Sequence, residues 1–354
     1  MMNKMNNLIN EFLENSRPIK RDILDIDNKH LKITKNANNN LDKLNSFNFR
    51  NWSDQSDMGL KYPMTYISKL FLGVKENKFF NLFFKVVNKR LSHFFEYSSM
   101  ADDINVIKSL GGENLLKENP QNNTPGGSNF TLVEGFSVTT RWLRYIYMLS
   151  QIQKFKLLKD DEIWVDIGSY YGGLQGLVKK YFPDIRIIMV DFNHQLLRSF
   201  LYLKQMYPDA NHILPNKISS INNLNEIPKG SILYLEVEDF KKIQKLKINL
   251  TTNFFSLGEM KKVVFESYLK SKVIENSDKI YFVNRFSSAP FFEQTYDDQI
   301  NLFDYKIDKE RIYFDIFPIS KFLITHRKTL KRIFFRNFSS DYFEIIWKKK
   351  SIDN

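Results

Sequence analysis

The chain has 354 residues, of which 43% are hydrophobic and 26% charged, a balance that excludes wholesale disorder. Its 52 Lys+Arg against 40 Asp+Glu give a net charge of +12, which points to an anionic partner: nucleic acid, a membrane surface or a charged small molecule. The absence of cysteine excludes a disulfide scaffold, a thiolate zinc site and a Cys nucleophile, and the length allows one large domain or roughly two.

The first 16 residues, MMNKMNNLINEFLENS, lack the continuous apolar stretch of a signal peptide. Residues 1–60 are polar and weakly periodic, which reads as a loose arm or a poorly packed helical extension. Residues 61–120 carry apolar side chains at helical spacing. Within them, Tyr62–Val87 is interrupted by Lys69, Lys75, Glu76, Lys78 and Lys85, so it reads as an amphipathic helix, packed into a core or lying at a membrane interface, rather than a membrane span. These features place the chain in the cytoplasm, or peripherally on the inner face of the membrane. The cluster PQNNTPGGSN (Pro120–Asn129) is the strongest breaker in the sequence and reads as a mobile loop. It divides the chain into an N-terminal arm and helical region, 1–120, and a second region, 121–354. A helix follows over Arg141–Phe155.

From Glu162 onward, strands and helices alternate. Strands are expected at Ile163–Gly168, Ile185–Asp191, Ile232–Val237, Ile248–Phe255 and Lys279–Phe286. Helices are expected at Gly172–Phe182, His194–Met206 and Glu259–Val273. Two late strands lie around Ile312–Phe317 and Tyr342–Lys348. Alternation of this kind implies parallel βαβ units and a Rossmann-like α/β fold, with a mostly parallel doubly wound sheet preceded by a helical region.

The most informative stretch is VDIGSYYGG (Val165–Gly173), a glycine-rich turn between a strand and a helix. A dinucleotide site needs a middle glycine so that the backbone can approach a pyrophosphate. Tyr170 stands in that position, and a phenol ring there would obstruct a pyrophosphate, which disfavours a dehydrogenase. S-adenosylmethionine has no phosphates, and the pattern resembles motif I of class I methyltransferases, with Asp166, Gly168 and Gly172 in place and Tyr170 replacing the second glycine. Asp166 is placed to meet the ammonium group of that cofactor. Asp191 ends the next strand, where a carboxylate accepts hydrogen bonds from two ribose hydroxyls. The candidate cofactor residues are Asp166, Gly168, Ser169, Tyr170, Gly172, Gly173, Asp191 and Phe192.

With these residues in view, the chain resembles the sugar O-methyltransferase family of bacterial surface-glycan clusters, class I enzymes dependent on S-adenosylmethionine. The resemblance runs from about Gly135 to Phe286. It is carried by GFSVTTRWLRYIYMLSQI (Gly135–Ile152), DIGSYYGGL (Asp166–Leu174), FPDIRIIMVDF (Phe182–Phe192), NFFSLGEM (Asn253–Met260) and YFVNRF (Tyr281–Phe286). It implies a methyltransferase fold and an acceptor hydroxyl on a sugar or glycan intermediate.

A sugar hydroxyl needs a base or a metal to become a nucleophile. Bases are expected just after strands, where ligands sit in open α/β sheets. Glu259 qualifies, although Ser256–Glu259 also matches a helix capping box. His326, in the late aromatic-basic region, is the second candidate base, whereas His194 lies nearer the adenosine end. No histidine pair or carboxylate triad has metal-ligand spacing, so no metal is assigned. Asn284 and Arg285 end a strand on the same rim and are candidate substrate contacts. Arg141 and Tyr145 share a helix face with Arg144 and Met148 and could clamp substrate, with the preceding loop as a lid.

Lys321–Lys350 holds nine cations and two anions, or +7 of the total +12. It reads as a solvated basic helix, as a contact for an anionic membrane or a lipid-linked substrate, or as a nucleic-acid surface. The acceptor could also be nucleotide-linked. An RNA methyltransferase and a non-catalytic scaffold on a degenerate methyltransferase fold remain as alternatives.

Overall fold

The computed structural model describes residues 2–16, 44–45, 49–50, 97–127, 130–218, 227–287, 299–319 and 341–350. The expected helix at 62–87, His326 and most of Lys321–Lys350 lie outside the described residues.

The chain enters on helix α1 (Met2–Glu14), and helices over residues 97–109 (α2) and Glu113–Glu118 (α3) follow after a long interval. A short hairpin, β1 (Thr131–Val133) and β2 (Phe136–Val138), precedes α4 (Thr140–Lys154). The sequence reading did not anticipate this hairpin. Its turn is made by Glu134 and Gly135, both at positive φ. Helix α4 starts where Thr139, in extended backbone, accepts a hydrogen bond from the Trp142 amide at 3.2 Å.

The strand–helix alternation then unfolds much as the periodicity predicts. It comprises β3 (Ile163–Ile167), α5 (Gly173–Tyr181), β4 (Arg186–Asp191), α6 (Asn193–Met206), β5 (His212–Ile213), α7 (Pro215–Ile218), β6 (Ile232–Glu236) and β7 (Ile248–Phe254). The expected single helix Glu259–Val273 is instead three pieces. Leu257–Glu259 forms one 3-10 turn, α8 spans Lys262–Leu269, and α9 spans Lys272–Asn276. Breaks fall at extended Met260 and Lys261 and at Ser271, whose side chain caps α9 through the Ile274 amide. Strands β8 (Ser277–Arg285), β9 (Glu310–Ile316) and β10 (Tyr342–Lys348) complete the sheet.

The eight strands run in the order β5-β6-β4-β3-β7-β8-β10-β9. The first six pair in parallel, and β10 inserts antiparallel to both β8 and β9. The chain winds outward from β3 to β5, then returns to lay β7 on the other side of β3. The topological switch point is therefore the β3–β7 boundary, and a ligand crevice is expected beyond the carboxyl ends of these two strands. This is a Rossmann-like doubly wound fold with an antiparallel strand near one edge.

Alternate strand residues feed two cores. Trp164, Ile187 and Met189 join α4, α5 and α6 on one face, while Val165, Ile188 and Val190 join Phe265, Val273 and Ile274 of α8 and α9 on the other. Helix α1 is firmly seated rather than loose. Phe12 is fully buried, 5.7 Å from the Phe200 ring and 6.5 Å from the Tyr234 ring, a burial that contributes about 2–3 kcal/mol. The described part of the breaker loop, 121–127, is also held. Arg50 donates to the Pro125 carbonyl at 2.6 Å and to Thr124 Oγ1, and Thr139 Oγ1 donates to Gln121 Oε1 at 2.8 Å. These bonds run counter to the expectation of a mobile lid for that part of the loop.

One carboxylate is enclosed by the first core. Glu344 on β10 is fully buried and accepts hydrogen bonds from the phenols of Tyr147 on α4, Tyr281 on β8 (3.1 Å) and Tyr313 on β9 (3.0 Å). Burial pushes its pKa up to about 7, against the opposing effect of those bonds, and the charge of Asp315 adds to the rise.

Candidate active site

The glycine turn at the end of β3 is built by sterics. Gly168 has φ +82°, and a Cβ there would lie 2.8 Å from Ser256 Cβ, so only glycine fits. Its amide donates to the Val190 carbonyl at 2.8 Å. Gly172, at φ +85°, starts α5. Between them Tyr170 adopts φ +56°, the left-handed conformation that the usual glycine would take. Its amide donates to Asp191 Oδ2 at 3.0 Å and its carbonyl accepts from Ser199 Oγ at 2.7 Å. Its ring carries two guanidinium groups, those of Arg141 at 3.7 Å and Arg198 at 4.3 Å from the centroid. The substitution thus keeps the backbone of the glycine motif and gives the ring to α4 and α6.

Two strand-end acids flank this turn. Asp166 is buried and accepts from Thr252 Oγ1 at 2.5 Å and from Gln175 Nε2. Trp164 Nε1 in turn donates to Thr252 Oγ1 at 2.7 Å. Burial raises the pKa of Asp166 to about 7, the charge of Asp191 adds to the rise, and the two hydrogen bonds oppose it. Asp191 accepts from the amides of Tyr170 and Phe192, at 3.0 and 2.8 Å, which fixes the orientation of its carboxylate. Phe192 stacks on His194 with ring centroids 6.0 Å apart.

Beside these acids, Ser169 Oγ and Gln175 Oε1 are buried without a hydrogen-bond partner among the described residues. Buried polar atoms are normally satisfied, so two orphaned acceptors close to a buried carboxylate fit a ligand that brings N–H donors, such as an ammonium group. Sequence reasoning placed Ser169 here but missed Gln175 and Thr252. It also missed Glu236, the register partner of Asp191 on β6, which accepts from Asn193 Nδ2 at 2.9 Å. An acid closing the run ILYLE was the available signal.

The carboxyl ends of β7 and β8 form the second half of the crevice. Phe255 reverses the chain at φ +66°, and the 3-10 turn Leu257–Glu259 follows. Ser256 does not cap that turn through its side chain, contrary to the capping-box expectation. Its hydroxyl instead accepts from Asn253 Nδ2 and lies against Gly168. Glu259 pairs with Arg285 at 3.3 Å, and Arg285 Nε donates to the Tyr342 phenol at 2.9 Å. Tyr342 packs edge-on to Phe255 at 4.9 Å, and the Arg144 guanidinium lies 4.7 Å from the Phe255 centroid. Arg144 is buried, which lowers its pKa to about 10.

Two expected substrate contacts turn inward. Asn284 is fully buried, donating to Asn253 Oδ1 at 3.0 Å and accepting from the Gly258 amide at 3.4 Å. Tyr145 packs against Gly173, where an added Cβ would lie 2.5 Å from its ring, and edge-on to Tyr171 at 5.9 Å. Both positions serve packing because their strand or helix face is covered by neighbouring elements. Arg141 and Glu259 are half-buried, whereas Arg285 is buried between Glu259 and Tyr342. Among the described residues no group of three His, Asp or Glu is arranged to hold a metal ion.

The sequence matches no protein-family model and no curated protein. Several solved structures align with it at low identity. A Galdieria sulphuraria protein assigned as a sarcosine dimethylglycine methyltransferase covers 58% of this chain and 85% of its own, with 9% identity and a TM-score of 0.38. The magnesium protoporphyrin IX methyltransferase of Synechocystis, with S-adenosylhomocysteine bound, covers 60% and 84%, with 7% identity and a TM-score of 0.35. The geranyl diphosphate C-methyltransferase of Streptomyces coelicolor covers 59% and 84%, with 9% identity and a TM-score of 0.33.

Proposed function

We propose that the chain is an S-adenosylmethionine-dependent O-methyltransferase acting on a hydroxyl of a sugar or glycan intermediate. One observation carries the cofactor half of this reading. Asp166 and Asp191 lie at the carboxyl ends of adjacent parallel strands, and the glycine turn between them leaves the buried Ser169 Oγ without a hydrogen-bond partner among the described residues. The sugar half rests on the sequence resemblance.

When bound, the cofactor supplies a methyl group on a sulfonium, which an acceptor oxygen attacks in line, forming the C–O bond as the C–S bond breaks and leaving S-adenosylhomocysteine and a proton. The chain's own work is positioning and proton removal. Asp166, Ser169 and Gln175 would hold the ammonium end, Asp191 the ribose hydroxyls, and Phe192 an apolar wall. Glu259 would accept the proton of the acceptor hydroxyl. Arg285, paired with that carboxylate at 3.3 Å, would hold it in place, and Tyr342 and Phe255 would give the acceptor an aromatic surface. The segment Lys321–Lys350 would meet an anionic membrane or a lipid-linked acceptor. No helix among the described residues is long and apolar enough to cross a membrane.

Calorimetric titration with S-adenosylhomocysteine tests the cofactor reading, with NAD and the Asp191→Ala variant as controls. No binding to folded wild-type protein, or tighter binding of NAD, would sink it. Transfer of labelled methyl groups to glycan or to RNA acceptors then separates the sugar reading from the RNA alternative. RNA binding should weaken steeply with salt, whereas sugar binding should not. Cofactor binding without transfer to any acceptor would favour a scaffold.

A further inference from the structure

Asn253, the residue before the last of β7, has its side chain fully buried and all four hydrogen-bonding positions used. Nδ2 donates to the Ile167 carbonyl at 2.7 Å and to Ser256 Oγ. Oδ1 accepts from the Leu257 amide at 3.1 Å and from Asn284 Nδ2 at 3.0 Å. The amide cannot be flipped, because the Ile167 carbonyl only accepts and the Leu257 amide only donates. Ile167 is the residue before Gly168, and Leu257 opens the turn that carries Glu259. One side chain therefore bonds both the turn on the cofactor side of the crevice and the turn on the acceptor side. Its strand position makes this possible, since Asn253 is the register partner of Ile167 across the switch point. Ser256 adds a second tie, donating to the Ile167 carbonyl at 3.4 Å while packing on Gly168.

We propose that Asn253 and Ser256 are positioning residues that lock the acceptor-side turn, residues 256–260, to the glycine turn, residues 168–172, so that filling the cofactor site orders the turn bearing Glu259. The proposal rests on the cofactor reading above. A fully satisfied buried amide has one low-energy placement, and moving either turn alone would strand a buried donor or acceptor.

Amide hydrogen exchange, with and without saturating S-adenosylhomocysteine, tests this on the full chain, with calorimetry reporting binding in parallel. In wild type, the ligand should slow exchange at both turns, by about tenfold or more at residues 256–260. Asn253→Ala should still bind the ligand and still protect residues 168–172, while protection at 256–260 falls below about threefold. General destabilisation would not give this pattern, because each variant is compared with its own ligand-free form. If Asn253→Ala does not fold, Ser256→Ala, which removes the second tie and one acceptor of Asn253 Nδ2 but leaves the bonds of Asn253 to Ile167 and Leu257, should show reduced protection at 256–260. Wild-type protection there in whichever variant folds would overturn the proposal, as would a wild-type protein that binds the ligand without protecting 256–260. Absence of binding in the calorimeter would instead overturn the cofactor reading, and the proposal with it.

Discussion

The guanidinium carbon of Arg141 lies 3.7 Å from the centroid of the Tyr170 ring, so the helix before β3 grips the turn that follows it. With Arg198 at 4.3 Å, the ring is bound into both α4 and α6. Replacing Tyr170 with glycine restores the common motif but should not stabilise the protein. Removing the left-handed penalty gains about 1 kcal/mol, while unfolded-state entropy and two cation–π contacts cost about 2–3 kcal/mol together. Tyr170→Gly is expected to lose about 1–2 kcal/mol in urea denaturation, and a more stable variant would show that the stack contributes nothing.

On the proposed function, Asp166 should give cofactor binding a pH dependence. Its pKa of about 7 in the free protein means that it is mostly protonated below that pH and must release a proton to meet a cation. Affinity for S-adenosylhomocysteine should be constant above about pH 8 and fall by up to about tenfold per pH unit below 7. Asp166→Asn should bind more weakly at pH 8 and with a flatter profile. Calorimetry between pH 5.5 and about 8.5 reads both effects, and an unchanged slope in the variant would remove Asp166 from the site.

Glu344 should act on stability. Its folded-state pKa is raised from 4.5 to about 7, so its contribution is fully present below about pH 4.5 and is lost as pH rises through 7. Glu344→Gln removes this loss. Relative to wild type, the variant should gain on the order of 2 kcal/mol between pH 5 and pH 8 in chemical denaturation. Equal pH slopes for the two proteins would show that the carboxyl titrates normally.

The contact between Gly168 and Ser256 predicts a coupled pair. Gly168→Ala should cost at least about 2 kcal/mol, from overpacking and from the left-handed backbone. Ser256→Gly has its own cost, the lost bonds to Ile167 and Asn253, but in that background Gly168→Ala should cost only about 1 kcal/mol, the backbone part. Simple additivity in a double-mutant cycle would contradict the contact.

Much of the fold was legible because β3, β4, β6 and β8 each hold a continuous run of aliphatic and aromatic residues bounded by polar or turn residues. The broken helix after β7 was not, since Lys262–Asn276 keeps helical spacing across Ser271 and nothing local marks extended Met260. On the site, the strand-end positions of Asp166 and Asp191 could be read from the pattern VD at the close of two strands. The inward turn of Asn284 could not, because a polar residue at a strand end gives no sign of whether a neighbouring strand will cover it. Ser256 was misread for a similar reason. The capping-box pattern is local, whereas its actual partners, Asn253 and the Ile167–Gly168 turn, include a strand that precedes it by about 90 positions.

Strand β10 separates β8 from β9, and the Arg285–Tyr342 pair spans 57 positions of sequence. A ribosome adding roughly 5–20 residues per second therefore leaves the β8 edge unpaired for several seconds after that strand has emerged. During that interval Ile280–Val283, entirely buried in the finished sheet, presents an open apolar edge. An aggregation-prone interval thus falls between the emergence of β8 and that of β10, and a factor that covers the nascent β8 edge in that interval would protect the chain.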